Sequence, residues 1–588
     1  MSRPRTRRSL RPATAVCICL GALAAAPAAV GSPAEVVPGV TYERITTGGK
    51  VIHVTRVTPG PLITVRPVMA GGSPTRRARL TDAMHARLGD GAVAGVNGDY
   101  FNIEDGYPSG LLLSAGELVS EPEPTRSALL FPPNGVLTAA RVELAGTWQA
   151  VDPVNPLPFP QHAFAGINRP SERANETIVY TSRLGGLTPT GDRVDALIAL
   201  DPPARVVPNT PITGTVQTIK KGGGSGIGPG KIVLTGAGIA GSDVLADLAV
   251  ERRVTLTFAI PGIPDGTDYG LGGGPSLVEN GAPLTNVTEG FTAGQIGSRT
   301  SRTAVGQAAD GSVLLVTTEG PRQGSRGVTM AEQAALMASL GASTAVGMDG
   351  GGSASMAIRD ALVTPWRAER AISNAVIVSY DGVQLTPPAP LVSPNGDGVD
   401  EATRTTARSA RRGTVRVTLA RANGTAVRTL YSGALGPAGH RIQLGRDTLK
   451  VRDGRYRVVA RFTPSDGSTR TNESRPIVVD RTVGFLKLRK VGSGPATKLR
   501  IGFTLAKAAK VTIVVRDAHG ADVKLLLRDR RIRAGKRGIT WNLRRAGKPL
   551  KPGIYVVGVS ARTPFAQPLL TARVRVTAPK KPSSAPGA

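Results

Sequence analysis

One stretch constrains this 588-residue chain more than any other: Gly341 to Met356, GASTAVGMDGGGSASM. A β-prone run from Ser343 to Met348 leads into a single acid, Asp349, followed by three glycines and small hydroxyl residues. Adjacent glycines are costly in backbone entropy. They suit places where the backbone must take φ > 0 or where N–H groups approach a ligand closely. The pattern reads as a buried strand that delivers one carboxylate to the floor of a glycine-lined cleft, with an oxyanion such as phosphate as its natural guest. Taken alone, such a triplet is equally a tight turn after a strand, so the neighbouring sequence has to decide.

Upstream, Thr329-Met-Ala-Glu332 has the spacing of a capping box. Ala334, Ala335, Leu336, Met337 and Leu340 follow, and Gly341 supplies a stop. The run before that helix, Ser312 to Thr318, ends in Glu319-Gly-Pro-Arg322. The order strand, helix, strand therefore puts a carboxylate at each strand end and a guanidinium near one of them. Two carboxylates and an arginine can converge there.

Aromatic residues make up only 4% of the chain, against 73 Gly and 46 Pro. That balance favours short strands and turns over long helices, and the length favours three or four domains. Residues 1–31 read as a secretory signal, with Arg3, Arg5, Arg7, Arg8 and Arg11 ahead of an apolar run from Ala13 to Val30 and cleavage between Ala24 and Gly31. A retained anchor is the other reading, and Thr6-Arg-Arg-Ser-Leu10 weakly resembles a twin-arginine signal. Both cysteines, Cys17 and Cys19, fall inside this segment, so the expected mature protein has neither disulfides nor thiolate chemistry. The five histidines, His53, His85, His162, His440 and His519, are nowhere paired at ligand spacing, which argues against zinc.

Along the chain, alternation from Glu35 to Met69 around Pro59-Gly60 predicts an opening hairpin, and Leu80 to Leu88 a short helix. Ala92 to Asn102 reads as a strand ending in a polar and aromatic cluster, Asn97-Gly-Asp99-Tyr100-Phe101-Asn102. From Leu111 to Val254 many short runs predict one mostly antiparallel sheet system. Lys220 to Gly230 within it lacks the P-loop order and reads as a flexible connection. Tyr269 to Gly281 holds a second glycine cluster, and Gly297 to Gly306 sets Arg302 and Thr303 just before another strand.

Five of these pieces together resemble the phosphodiester glycosidase family: Asn97-Gly-Asp-Tyr-Phe101, Gly272-Gly-Gly-Pro275 with Asn280-Gly281, Ser301-Arg-Thr-Ala-Val-Gly306, Glu319 with Arg322, and Asp349-Gly-Gly-Gly-Ser353. The resemblance covers roughly Glu35 to Asp381. It implies hydrolysis of the bond between a sugar anomeric carbon and a phosphodiester oxygen. An oxocarbenium-like transition state needs a nearby carboxylate, and the departing phosphate needs cations or N–H groups. The resemblance implies a catalytic set of Asp349, Glu319 and Arg302, with the order of nucleophile or base and acid left open. Its substrate-binding set is Asn97, Asp99, Tyr100, Gly273, Gly274, Thr303, Arg322, Gly350, Gly351, Gly352 and Ser353. In it Arg302, Arg322 and the N–H groups of 350–353 hold phosphate, and Asn97 and Asp99 hold sugar hydroxyls or a cation. The family pattern has Asp-Gly-Arg where this chain has Glu319-Gly-Pro-Arg322, which loosens the roles of Glu319 and Arg322. No cofactor is certain; an oxygen-ligand calcium or magnesium site from Asn97, Asp99 and Asp349 is conceivable. A serine-histidine-acid triad has no signature here.

After a proline-containing linker, Asn395-Gly-Asp397-Gly-Val-Asp400-Glu401 offers either a calcium loop or a capped turn opening a β domain. This stretch resembles the start of bacterial Ig-like domains related to the flagellar hook-assembly protein. An internal repeat agrees: Val415 to Leu430 parallels Val511 to Leu526, and Asp453-Gly-Arg-Tyr456 parallels Lys551-Pro-Gly-Ile-Tyr555. The expected organisation is an α+β, strand-rich catalytic domain over 32–383, then two all-β Ig-like sandwiches over 384–480 and 481–578, and a disordered tail over 579–588. From residue 481 onward there are 25 Lys and Arg against 3 Asp, a net +22 of the chain's +31. The expected partner of that module is an anionic wall polymer or membrane surface, with no motif for reading nucleic acid. The sequence thus reads as an exported, envelope-associated hydrolase. The competing class is a non-catalytic glycopolymer-binding or wall-organising protein.

Overall fold

The computed structural model of the protein describes residues 29–30, 33–154, 157–170, 175–284, 288–359, 361–468, 470–493 and 496–577. Most of the expected export signal and the expected disordered tail lie outside the described residues.

Two facing sheets build the part that carries Asp349. The first runs Val40–Thr47, Lys50–Val57, Val313–Thr318, Arg302–Ala308, Ala342–Met348, Ser276–Glu279, every neighbour antiparallel. The Arg302–Ala308 and Val313–Thr318 strands are buried at every position. Alternate side chains of a strand point to opposite faces, so both faces must be covered. Ile52, Ala304, Leu314, Val316 and Ala345 meet Ala334 and Met337 of the Met330–Ser339 helix on one face. Val305, Leu315, Val346 and Met348 meet Val96, Met356, Val376 and Val378 of a second sheet on the other. That sheet is ordered Ala361–Leu362, Met356–Ile358, Ala92–Asn97, Asn374–Tyr380, Ile63–Met69. Its outer residues Ala357, Ala375 and Ile377 pack on Leu80, Ala83 and Met84 of the Leu80–Ala86 helix. The layers are helix, sheet, sheet, helix.

The Val313–Thr318 and Ala342–Met348 strands are both antiparallel to the one between them and so parallel to each other. Glu319 and Asp349 therefore leave the sheet at the same edge, two strand spacings or about 10 Å apart. The helix between them starts where the capping box requires: Thr329 accepts the Glu332 N–H at 3.2 Å and Glu332 accepts the Thr329 N–H at 3.1 Å. Gly341, at φ +90, ends it.

Three expectations are corrected. The opening hairpin turns at Gly48-Gly49, where Thr47 faces Lys50, and both glycines have φ > 0 as a tight two-residue turn demands. Pro59-Gly60 instead begins the crossing to the second sheet, where Ile63–Met69 pairs with Asn374–Tyr380. The region from Leu111 to Val254 is two sheets. A five-stranded one joins residues 112–140 to Tyr269–Gly272, and an eight-stranded one spans Ala145 to Ala259 around Trp148, Phe164 and Phe258. The five-stranded sheet shows Leu113, Leu118 and Leu130 to that core and Leu112, Val119 and Leu129 to the site's own core, so it is a shared middle layer. Lys220 to Gly223 belong to the Ile212–Gly223 strand rather than to a loop.

Two sandwiches complete the chain. The first pairs a three-stranded with a five-stranded sheet around Val417, Val458 and Phe462; the second pairs three strands with four around Val511, Ile513 and Trp541. Their kinship shows in one detail: Tyr456 donates to the Arg452 carbonyl at 2.8 Å and Tyr555 to the Lys551 carbonyl at 2.9 Å, each four residues back. Arg475 fastens the first sandwich to the opening strands through the Val36 carbonyl at 2.8 Å while pairing with Glu473 at 2.5 Å. In the 395–401 turn the side-chain oxygens accept backbone N–H groups. Glu401 takes those of Gly396 and Gly398, Asn395 that of Asp397, and Asp397 those of Val399 and, in the second sandwich, Phe485. Asp400 sits at φ +52. These contacts describe a turn that pins the two sandwiches together rather than a ligand cage.

Candidate active site

Asp349 is half-buried at the end of its strand, and its N–H donates to the Gly98 carbonyl at 3.0 Å, tying the two sheets together at the cleft floor. Burial lifts its carboxyl to about 6, against the opposing pull of the Ser353 hydroxyl, Arg370, the Gly350 N–H and Arg126. The following glycines form a single turn with Gly351 at φ +59. Arg370 lies across that turn: a Cβ on Gly352 would stand 2.6 Å from its guanidinium, and its Nη1 donates to the Ser353 hydroxyl at 3.3 Å. Glycine at 352 is therefore what lets this cation approach the carboxylate. The turn also borders a cleft of about 400 Å³ lined by Thr300, Ser301, Gly320, Arg322, Gly351, Gly352 and Trp366. Arg322 is exposed there with no hydrogen-bond partner among the described residues.

On the other side of Asp349 stands Tyr100. Its half-buried ring contacts Phe291 at 5.2 Å between centroids, with the Arg126 guanidinium 5.1 Å from its centre. The Asp349 charge adds to burial in raising the Tyr100 phenol, so it stays a neutral donor. An aromatic face beside a carboxylate and two guanidinia can hold a sugar ring and an anionic substituent together.

Asp99 is close enough for the Asp349 charge to act on it, but it does not open into the cleft. It is 2% exposed, Oδ1 accepts the Tyr100 N–H at 2.7 Å, and its backbone N–H reaches Asn374 Oδ1 at 2.7 Å. Among the described residues Oδ2 has no hydrogen-bond partner, and it is packed where a Cβ on Gly272 or Gly110 would come within 2.5 or 2.9 Å. Burial is the main cause that lifts this carboxyl to about 7. Asp99 thus holds the Tyr100 backbone from inside the fold and is closed off from solvent.

Several expected site residues play supporting parts. Asn97 and Thr303 are buried between the sheets: Asn97 Oδ1 accepts from Thr303 Oγ1 at 2.7 Å and from the Ser355 N–H at 3.0 Å, and Nδ2 donates to the Asp349 carbonyl at 2.8 Å. Its oxygen is committed, so Asn97, Asp99 and Asp349 do not form a cation cage, and among the described residues no group of three or more His, Asp or Glu is placed to hold a metal. Gly273 and Gly274 are buried against the neighbouring strand, Gly274 N–H donating to the Gly347 carbonyl at 2.9 Å. Two of the amides of 350–353 are engaged within the fold: Gly351 donates to the Ser301 carbonyl and Ser353 to the Gly350 carbonyl.

Arg302 and Glu319 depart furthest from their expected roles. Arg302 is 5% exposed and donates to three carbonyls, Val328 at 2.9 Å, Gln295 at 2.7 Å and Ser298 at 3.0 Å, so it braces the loop before its strand. Glu319, 3% exposed, accepts from His53 Nε2 at 3.0 Å, with Arg44 at 3.6 Å. Burial lowers the His53 imidazole against the pull of Glu319, and the neutral ring takes the Tyr42 hydroxyl on Nδ1 at 2.9 Å. Sequence reasoning misses Arg370, Arg126 and Asn374. Arg370, in Trp366-Arg-Ala-Glu-Arg370, reads as an ordinary solvated charge run, and Arg126 has no signal at all. Asn374, a polar residue opening the Asn374–Tyr380 strand, repeats the signal that singled out Asn97.

No curated protein matches the chain. Among solved structures it is similar to a hypothetical protein from Synechocystis, 23% identical with TM-score 0.48, over 60% of this chain and 64% of that one. The chain thus spans less than two thirds of that protein. It is also similar to the zebrafish N-acetylglucosamine-1-phosphodiester alpha-N-acetylglucosaminidase catalytic domain auto-inhibited by its pro-peptide, 15% identical with TM-score 0.28, over 60% of this chain and 87% of that one. The family model described as phosphodiester glycosidase matches residues 209–379, which hold Arg302, Glu319, Arg322, Asp349 and Arg370. The chain carries a phosphodiester glycosidase domain.

Proposed function

We propose that the protein is an exported hydrolase that cleaves the bond between a sugar anomeric carbon and a phosphodiester oxygen in an envelope or extracellular glycan. The observation that carries this reading is Asp349: a half-buried carboxylate, lifted to about 6, on a glycine turn that admits Arg370. Above that pH the carboxylate is ionised beside the reacting carbon, where it stabilises positive charge at the anomeric centre or attacks it. Arg370 and Arg322 hold the departing phosphate, whose negative charge grows as the bond breaks. A phosphate of low basicity leaves without needing a strong acid, which fits a site where Glu319 faces away. Tyr100 and Phe291 give the sugar an aromatic wall. The arginine-rich start and apolar run of residues 1–31 support export, and among the described residues no helix is long and apolar enough to cross a membrane.

The test is hydrolysis of sugar-1-phosphodiesters by the mature protein, scored for free sugar and phosphomonoester together, with and without calcium or magnesium. Equal release of both, lost in Asp349→Asn with the fold intact, is the expected result. Binding of these compounds without release from either α- or β-linked sugars would overturn the hydrolase reading in favour of a glycopolymer-binding protein.

A further inference from the structure

The acids of the second sandwich are not spread evenly over its two sheets. All three of its acids lie on or beside the strands of the four-stranded sheet: Asp517 and Asp522 at the turn between Ala509–Arg516 and Asp522–Ile532, and Asp529 within the latter. Two of them partner cations there, Asp522 with Arg516 at 2.8 Å and Asp529 with Arg562 at 3.2 Å, while Asp517 accepts the His519 and Ala521 N–H groups. The three-stranded sheet, ordered Val483–Val491, Lys498–Leu505, Gly535–Trp541, has none.

Register defines what its outer face shows. Leu499, Ile501, Phe503 and Leu505 point into the core, so Lys498, Arg500, Gly502 and Thr504 point out. Across the sheet Arg489 stands opposite Arg500, and Lys487 and Gly538 stand opposite Gly502 on its two sides. Lys536 stands opposite Thr504. Five cations, Lys487, Arg489, Lys498, Arg500 and Lys536, thus share one exposed face, and none has an ion-pair or hydrogen-bond partner among the described residues. Two features make this more than a soluble surface. Arg489 and Arg500 are directly opposed like charges, an arrangement that destabilises a sheet unless an anion lies between them. The facing glycines 502 and 538 leave the middle of the sheet without side chains, a shallow trough between the rows of cations.

We infer that this face is a binding strip for a linear phosphodiester polymer, laid along the strands with its phosphates between opposed cations. Guanidinia grip phosphate oxygens in pairs, and one phosphate between Arg489 and Arg500 turns their repulsion into two attractions. Cations two residues apart on a strand are on the order of 7 Å apart, so one extended chain meets several in succession. The choice of phosphodiester over other polyanions rests on the proposed function, since a module that grips the substrate polymer holds the Asp349 cleft at its bonds. The absence of acids from this sheet does not depend on that reading.

The test compares full-length protein, Arg489→Gln/Arg500→Gln, and Lys510→Gln/Arg573→Gln on the opposite sheet. Each is titrated with a synthetic poly(glycerol phosphate), with dextran sulfate, and with vesicles rich in anionic phospholipid, at low and at physiological salt. The expected result is at least ten-fold weaker polymer binding and a shallower salt dependence for the first pair, within two-fold of wild type for the second, and unchanged hydrolysis of a small sugar-1-phosphodiester for both. Asp349→Asn is expected to bind the polymer as wild type does, so failure of the strip and failure of the hydrolase reading are separable. Equal binding by both paired variants would overturn the strip, and tighter binding to vesicles or to dextran sulfate than to the phosphodiester polymer would overturn the assigned partner.

Discussion

Asp349 and Glu319 are the same device used twice with opposite outcomes. Each is the first residue beyond one of two parallel strands, at the same edge of the same sheet. Their next residues differ. After Asp349 come three glycines, whose turn leaves the carboxylate half-open and lets Arg370 lie across it. After Glu319 come Gly-Pro-Arg, and its N–H still pairs with the Val51 carbonyl one residue past the strand, while its side chain turns into the layer between His53 and Arg44. On the proposed function, a carboxylate at a strand end serves as the reactive group only where the next residues open the backbone around it. The largest expected effect tests this. Asp349→Asn should lower kcat by on the order of 10³-fold or more with the fold kept. Glu319→Gln should change kcat less than ten-fold while lowering stability by about 1–3 kcal/mol, because it disturbs a buried acceptor. Wild-type kcat/KM should rise as pH passes about 6, where Asp349 ionises. Equal kinetic losses in the two variants would erase the distinction.

The arginines divide the same way. Arg302 is walled in by three carbonyls, whereas Arg370 is exposed and leans on Ser353. Arg370→Ala is expected to cost roughly 10²-fold in kcat/KM, the order seen when one preorganised donor is removed, with little change in melting temperature. Arg302→Ala is expected to do the reverse: three carbonyls lose their donor, that of Val328 buried, and stability falls by about 1–3 kcal/mol. Steady-state kinetics beside thermal melts would show it, and a stable, inactive Arg302→Ala would return Arg302 to the phosphate.

How much of this is legible in the sequence depends on which interactions are local. The capping box at Thr329 and Glu332, the strand that delivers Asp349 and the glycine turn are all set by residues within a few positions of one another, and the sequence announces them. So is the tyrosine that reaches back four residues in each sandwich. The hairpin turn is misplaced by sequence because Pro59-Gly60 and Gly48-Gly49 are equally good turn signals, and only pairing with the distant Asn374–Tyr380 strand separates them. Burial of Glu319 is set by His53, 266 residues away. Arg370 reaches Asp349 only because the Met356–Ile358 strand and the return to the second sheet bring its loop back over the turn. Nothing in the local charge pattern distinguishes it from a solvated arginine.

Asp99 extends the comparison to a third acid, fully buried where Asp349 is half-open. Its carboxyl is lifted from the ordinary range to about 7 in the folded protein. A raised folded value means the native state holds its proton where the unfolded chain releases it. The stability this contributes is complete below about pH 4 and is lost as pH rises toward 7. Asp99→Asn, which cannot ionise, removes that loss, so denaturant melts of wild type and variant should diverge between pH 4 and 7.5 by on the order of 2–4 kcal/mol in the variant's favour. Parallel curves would mean that Asp99 stays ionised and paired, and would bring it back among the groups that face the substrate.

The smallest expected effect bears on what the glycines are for. In Gly352→Ala the added methyl points at the Arg370 guanidinium, 2.6 Å away, but the far end of an exposed arginine can swing aside at little cost to the fold. The turn at 352 needs no positive φ, unlike Gly351 at +59, so the backbone tolerates the change. What is lost is only the close approach of cation to carboxylate. KM for a sugar-1-phosphodiester should therefore rise several-fold as the phosphate grip slackens. The acid limb of the pH profile should move up slightly as Asp349 loses some of the charge that opposes its burial, while melting stays within a degree or two of wild type. A variant with unchanged KM and an unchanged acid limb would show that Arg370 acts without touching the turn. Asp349 would then owe its reactivity to the strand end alone, which the buried Glu319 on the neighbouring parallel strand shows is not sufficient.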